Sequence, residues 1–199
     1  PIAAMRLSLQ SEDTETARKL TSDLNRIEEY VEMVLTFLRL DSDSTDYLIR
    51  EYDLDGIIRT SVRKFSREFI LKKLTLDYKP VNYTVLTDEK WLTFVIEQII
   101  SNAVKYTTEG SVRIYMNEPG ILCIEDTGIG ISAEDLPRIF ENGYTGFNGR
   151  EDKRASGIGL YLCKRITENL GHTISAESQP GRGTTIILDL TAARLVTDD

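Results

Sequence analysis

Apolar residues near the start of the chain recur with the spacing of a helical seam. Between Thr14 and Leu40, Leu20, Leu24, Ile27, Val31, Val34 and Leu38 follow one another at alternating steps of four and three. A seam of this kind needs a helical partner. The opening stretch PIAAMRLSLQ offers one, because Ile2, Met5 and Leu9 keep the same spacing and Pro1 suits a first helical turn. SEDTE is then the turn of an antiparallel α-helical hairpin. Its first arm is too short to cover the second, so the pattern predicts that the hairpin dimerises with a second copy into a four-helix bundle. The alternative is a hairpin that folds back on its own domain.

DSDSTD, residues 41–46, has no periodic apolar signal and reads as a linker. The architecture changes after it. YLIREYD predicts a short strand, and Asp53 is placed to cap a long amphipathic helix over DLDGIIRTSVRKFSREFILKKL. LTLDY and YTVLT predict strands, DEKWLTFVIEQIISNAVKYT a helix, and SVRIYMN and GILCIED two strands joined at Pro119-Gly120. SAEDLPRIF predicts a short capped helix and GIGLYLCKRITENLG a helix closed by Gly171; HTISAESQ and TTIILDL are strands around the turn PGRG. Helices alternating with hairpins predict one mixed sheet with helices on one face, an α/β two-layer sandwich. The expected division is residues 1–45 for the helical hairpin and 46–199 for the sandwich.

Composition narrows the partners. A net charge of -8 and a pI near 4.9 argue against a nonspecific grip on nucleic acid or an anionic membrane, since both need a basic surface. The acidity is concentrated early, with ten acidic and four basic side chains between Ser11 and Asp46. No apolar run approaches the roughly 20 residues of a membrane-spanning helix. Cys123 and Cys163 lack metal-ligand spacing and read as small core residues of a reducing compartment.

The chemistry gathers at three glycine turns: Asp126-Thr-Gly128-Ile-Gly130, Gly157-Ile-Gly159-Leu160 and Gly181-Arg-Gly183-Thr184. Glycine admits positive φ and close ligand approach, and Gly157 and Gly159 open a helix whose first amides can face phosphate. Singly, each is an ordinary loop feature. The helix after Asp88 adds specificity, because at about 3.6 residues per turn Gln98, Asn102, Lys105 and Tyr106 share one stripe while Val95, Ile99 and Ala103 share another. An amide oxygen suits Mg²⁺, an ammonium suits phosphate and a tyrosine ring can cover a base. A solvated helix face is the plainer alternative.

In order and spacing, Asn102 with Lys105 and Tyr106, the D-T-G-I-G-I run at 126–131, Phe140, G-I-G-L at 157–160 and G-R-G-T at 181–184 resemble the N, G1, F, G2 and G3 boxes of bacterial sensor histidine kinases. These share the ATP-binding fold of gyrase, the ninety-kilodalton heat-shock chaperone and the mismatch-repair ATPases. The resemblance implies that Asp126 accepts a hydrogen bond from the adenine amino group, with Gly128 and Gly130 making room for the base. Thr184 supports that corner, Ile131 and Tyr106 flank the ring, and Gly157, Gly159 and Leu160 lie toward the phosphates. Asn102 is the implied Mg²⁺ ligand, and Lys105 offsets phosphate charge. The segment ENGYTGFNGREDKRAS resembles the mobile ATP lid, in which Arg150 is the phosphate-facing candidate. Phe140 is followed by ENGY, one residue longer than the usual Phe-x-x-Phe spacing.

The opening PIAAMRLSLQ resembles the continuation of a His-Glu-x-Lys/Arg-Thr-Pro helix, which implies a phosphoacceptor histidine five positions ahead of Pro1. The single histidine present, His172, follows a helix stop and begins a strand, and reads as structural. Gln98 stands where hydrolysing relatives carry a water-activating glutamate, and an amide cannot act as that base. The resemblance thus implies an ATP-dependent protein-histidine autokinase that passes its phosphoryl group to the aspartate of a response-regulator receiver domain. The hairpin and the phrase IFENGYTGFNGR are most similar to Gram-positive kinases that sense cell-envelope antibiotics such as bacitracin. That likeness implies a cytoplasmic fragment of a protein anchored in the bacterial membrane, with an antibiotic-transporting ABC transporter as a further partner. A serine kinase of the anti-sigma-factor type and a non-catalytic ATP-gated adaptor are the rival readings.

Overall fold

The computed structural model describes residues 14–40, 47–146 and 157–191. The first arm of the expected hairpin, the 41–46 linker and the cluster Arg150, Lys153 and Arg154 lie outside the described residues. The chain divides into two compact units, Pro1–Thr45 and Asp46–Asp199. In the first, helix α1 (Glu15–Leu40) runs for 26 residues, about 39 Å at 1.5 Å per residue. Along its seam Leu20, Ile27, Val31 and Leu38 are 45–58% exposed, an apolar stripe that this single chain leaves in contact with water.

The second unit begins with strand β1 (Arg50–Asp53), helix α2 (Leu54–Lys64) and helix α3 (Ser66–Lys72). Asp53 caps α2 by accepting from the amides of Asp55 and Gly56 at 3.2 Å, satisfying donors that a helix start leaves free. The long helix expected here is broken at Phe65 (φ -98°, ψ 6°). Ser66 Oγ donates to the Arg63 carbonyl at 2.9 Å, and the change of direction lets Phe69 enter the core at 5% exposure. Side-chain capping and tertiary burial together override the helical pattern.

There follow β2 (Thr75–Tyr78), β3 (Thr84–Thr87), the long helix α4 (Glu89–Tyr106), β4 (Ser111–Glu118) and β5 (Ile121–Asp126). Helix α5 (Gly159–Asn169), β6 (Thr173–Gln179) and β7 (Gly183–Asp189) complete the unit. The strands form two sheets where the sequence suggests one. Five are ordered β2-β4-β5-β7-β6, while β1 and β3 pair separately as an antiparallel ribbon. The segment SAEDLPRIF forms a single 3₁₀ turn (Leu136–Arg138) in place of the expected helix. Pro137 has no N–H to continue an α-helical ladder, so the turn is closed by Ser132, which accepts from the amides of Asp135 and Leu136.

Helix α4 is the spine of the unit, flanked by α2 and α5 and laid against β5. Its apolar face contributes Leu92, Ile96, Ile99 and Ile100 to a core to which α2 adds Leu54 and Ile58, α5 adds Leu162 and Ile166, and the sheet adds Ile114, Leu122, Ile124 and Leu188; all are essentially fully buried. Each such side chain stabilises the fold by about 1.5–3 kcal/mol relative to exposure. The opposite face of the sheet carries Arg113, Ser175 and Glu177, all exposed. Alternation along β5 therefore puts Asp126, two residues beyond Ile124, on the helix-facing side at the strand's end.

Candidate functional site

Asp126 is 9% exposed. Its Oδ1 accepts from the amide of Gly128 at 2.8 Å and from that of Thr184, its register partner on β7, at 3.3 Å. No donor from the described residues is recorded on Oδ2. Burial raises the carboxyl's pKa from its ordinary value, an effect the two N–H donors oppose and neighbouring Glu125 reinforces. Asp126 and Thr184 border an open groove of about 440 Å³ at the sheet edge, which Glu125, Glu177 and Thr185 of the exposed sheet face also line, and in which Asn102, Lys105, Tyr106, Ile131 and Leu160 take no part.

The loop after Asp126 is held from three sides. Tyr106, the last residue of α4, accepts through its carbonyl from Ile129 N at 3.2 Å. Ile131 N donates to Ser178 Oγ at 2.8 Å, and Ser178 in turn donates to the Gly183 carbonyl at 2.7 Å and lies 3.0 Å from Thr184 Oγ1. Gly130 has φ +70°, and a Cβ there would sit 2.0 Å from the Gln179 carbonyl oxygen, so only glycine lets this loop pass the β6 to β7 turn so closely.

The remaining boxes converge on the same helix. Gly159 opens α5 against Gln98, whose Nε2 would be 2.7 Å from any added Cβ. Gly157 (φ +68°) accepts from Gly143 N at 3.1 Å. Lys105 Nζ lies 4.8 Å from the centre of the Tyr106 ring, within cation–π range. Asn102, Lys105, Tyr106, Ile131 and Leu160 are half-buried. The last turn of α4, the Asp126 loop and the Thr184 turn are thus joined directly by recorded contacts, with the start of α5 one helical turn back along α4. Arg150 lies outside the described residues. Sequence reasoning passed over Ser178, because its role depends on the register that sets it opposite Thr184.

Residues 87–194 match the histidine kinase-, DNA gyrase B- and HSP90-like ATPase family. This chain belongs to that ATPase family. Among its relatives are the sensor histidine kinase YxdK of Bacillus subtilis, 34% identical over 195 residues, and the sensor histidine kinase GraS of Staphylococcus haemolyticus, 36% identical over 193 residues. Each match covers 94% of this chain, but the chain spans only 59% and 56% of those relatives' own lengths. The sensor protein BceS of Halalkalibacterium halodurans is 32% identical over 192 residues, spanning 94% of this chain and 58% of BceS. The histidine kinase AdeS of Acinetobacter baumannii has the same fold, with a TM-score of 0.65 at 20% identity over 96% of this chain and 95% of that one. Full-length ShkA, solved in complex with AMPPNP, gives a TM-score of 0.72 at 22% identity, covering 98% of this chain and 43% of ShkA. Over nearly its whole length the chain is thus similar to sensor histidine kinases of Gram-positive bacteria, and it carries the ATPase domain that gives the family its name.

His172 belongs to the core of this ATPase domain. It is 2% exposed, its Nε2 lies 3.3 Å from Thr87 Oγ1, and its buried Nδ1 has no hydrogen-bond partner among the described residues. Burial lowers its pKa, against the opposing pull of Asp189. A lowered folded-state value means that the unfolded chain binds a proton first as pH falls. Stability is therefore intact above the ordinary histidine value of 6.5 and declines below it until the folded state also protonates. Urea midpoints measured from pH 8 to pH 5 are expected to fall in the wild type and to fall less in His172→Gln; parallel curves would contradict this burial effect.

Proposed function

We propose that this chain is the catalytic core of a sensor histidine kinase, binding Mg-ATP and transferring its γ-phosphoryl group to a histidine that precedes PIAAMRLSLQ in the longer protein. The observation that carries the reading is the Asp126 corner: a buried carboxylate fixed through one oxygen by two backbone amides, with its second oxygen available to an incoming donor. Adenine presents such a donor in its amino group. A base with a carbonyl there sets acceptor against acceptor and is rejected.

The residues around this corner suit the rest of the nucleotide. Tyr106 and Ile131 cover the ring, Lys105 offsets phosphate charge, and the Gly157 to Leu160 turn at the start of α5 faces the triphosphate. Asn102 offers a hard amide oxygen to Mg²⁺. Among the described residues no group of three or more His, Cys, Asp or Glu side chains could hold a metal alone, which fits a cation that arrives with the nucleotide and keeps phosphate and water ligands. When bound, Mg²⁺ supplies charge neutralisation across the phosphates. The protein's own contribution is to fix the nucleotide and bring the γ-phosphoryl group in line with an imidazole. Gln98, an amide, leaves water without a base at that position.

The exposed seam of α1 supports a homodimer through the helical hairpin, and the same bundle would receive the receiver domain of a response regulator. No described helix is long and apolar enough to cross a membrane. Likeness to YxdK, GraS and BceS supports anchorage of the longer protein in a bacterial membrane, with sensing of cell-envelope antibiotics and an antibiotic-transporting ABC transporter as partner. The test is to extend the chain upstream by its native residues and incubate it with Mg-ATP. Acid-labile, base-stable phosphate on the added histidine is expected; acid-stable phosphoserine, or nucleotide binding without transfer, contradicts the proposal.

A further inference from the structure

The last carbonyls of a helix lack intrahelical partners, and on α4 those carbonyls belong to the turn that bears Lys105 and Tyr106. Ala103 O is taken by Thr107 N at 3.1 Å and Tyr106 O by Ile129 N at 3.2 Å. The two between are satisfied from outside the helix. Lys72 Nζ, on the last turn of α3, donates to Val104 O at 2.5 Å, Lys105 O at 3.2 Å and Thr107 O at 3.1 Å. One ammonium thus spans three carbonyls at the negative end of α4, where a cation is also favoured by the helix dipole.

The place of Lys72 is itself fixed. Lys73 has φ +54°, the left-handed conformation, and is the sole non-glycine residue with positive φ among the described residues. Its amide donates to Ile70 O at 3.1 Å and that of Leu74 to Phe69 O at 3.0 Å. This turn stops α3 while Phe69 and Leu74 are buried, leaving Lys72 at the end of α4.

We infer that Lys72 is a positioning residue for the nucleotide site, holding the last turn of α4 so that Tyr106 and the Asp126 loop hydrogen-bonded to it keep the geometry that receives the base. The inference rests on the nucleotide reading above. Lys72 acts through backbone carbonyls, so its loss weakens every adenine nucleotide alike, whatever the number of phosphates. Two consequences separate this from a purely structural role: affinity changes in a chain that remains folded, and a longer cationic donor restores it.

The experiment displaces a fluorescent ATP analogue with ATP and with AMP, in the presence of Mg²⁺, from the wild-type chain, Lys72→Met and Lys72→Arg. Lys72→Met keeps the aliphatic stem and removes the donor. Its dissociation constants for ATP and AMP are expected to rise together by about ten-fold, the equivalent of roughly 1.4 kcal/mol, and Lys72→Arg to recover most of that loss. Unchanged affinity with a lowered unfolding midpoint overturns the inference, as does weakening confined to ATP, which would place Lys72 on phosphate. A wild-type chain that binds no adenine nucleotide sinks the nucleotide reading and this inference together; a wild-type chain that binds normally beside an unaffected Lys72→Met sinks this inference alone. If Lys72→Met does not fold, the same comparison with Lys72→Gln decides it.

Discussion

Asp126→Asn is expected to raise the dissociation constant for Mg-ATP by about a hundred-fold, or roughly 2.7 kcal/mol, while the chain stays folded. The amides of Gly128 and Thr184 both point at Oδ1, so an asparagine must keep its oxygen there to satisfy them. Its NH₂ group then occupies the position of Oδ2 and meets the amino group of adenine, donor against donor. Stability has no reason to fall, because both backbone hydrogen bonds survive and burial already disfavours the charged carboxylate. Calorimetric titration checks the affinity and urea unfolding checks the fold. Unchanged affinity would remove Asp126 from the site.

A larger loss of stability is expected from Gly183→Ala. Gly183 has φ +99°, and its added Cβ would lie 1.8 Å from the Asp126 carbonyl oxygen, 2.7 Å from the Asp126 carbonyl carbon and 2.9 Å from Thr127 Cα. These neighbours are backbone, with no flexible side chain to yield. Relief requires β7 to move off β5 at the Asp126 to Thr184 pair, which would also pull the Thr184 amide away from the site. The combined clash and backbone strain should cost about 3 kcal/mol or more, read as a drop in the urea midpoint. A loss below about 1 kcal/mol would mean that the two strands can separate there without cost.

The sequence was most readable where structure is decided locally. Asp53 precedes an amphipathic run and caps the helix that follows. The stripe from Gln98 to Tyr106 follows from helical periodicity alone, as does the alternation that carries β5 into Asp126. Features set by distant partners were not readable. The break at Phe65 depends on burying Phe69, and the β1 to β3 ribbon pairs Arg50 with Thr87 across a whole helical segment, splitting off what pattern alone assigns to one sheet. Pro137 was visible, but whether Ser132 would start a helix or close a single turn was not. Nothing local marks Lys72; only the meeting of α3 with the end of α4 gives it three carbonyl partners. Ser178 is opaque for the same reason, since a serine in a strand acquires meaning from the residue across the ladder.

The central claim is that the Asp126 corner holds adenine while the triphosphate reaches toward Asn102. The most direct measurement is a structure of the chain determined with Mg²⁺ and a non-hydrolysable ATP analogue at saturation. The account predicts the adenine amino group hydrogen-bonded to Asp126 and Mg²⁺ coordinated by the amide oxygen of Asn102. A cleft left vacant under those conditions, or an analogue bound away from these two side chains, would contradict it.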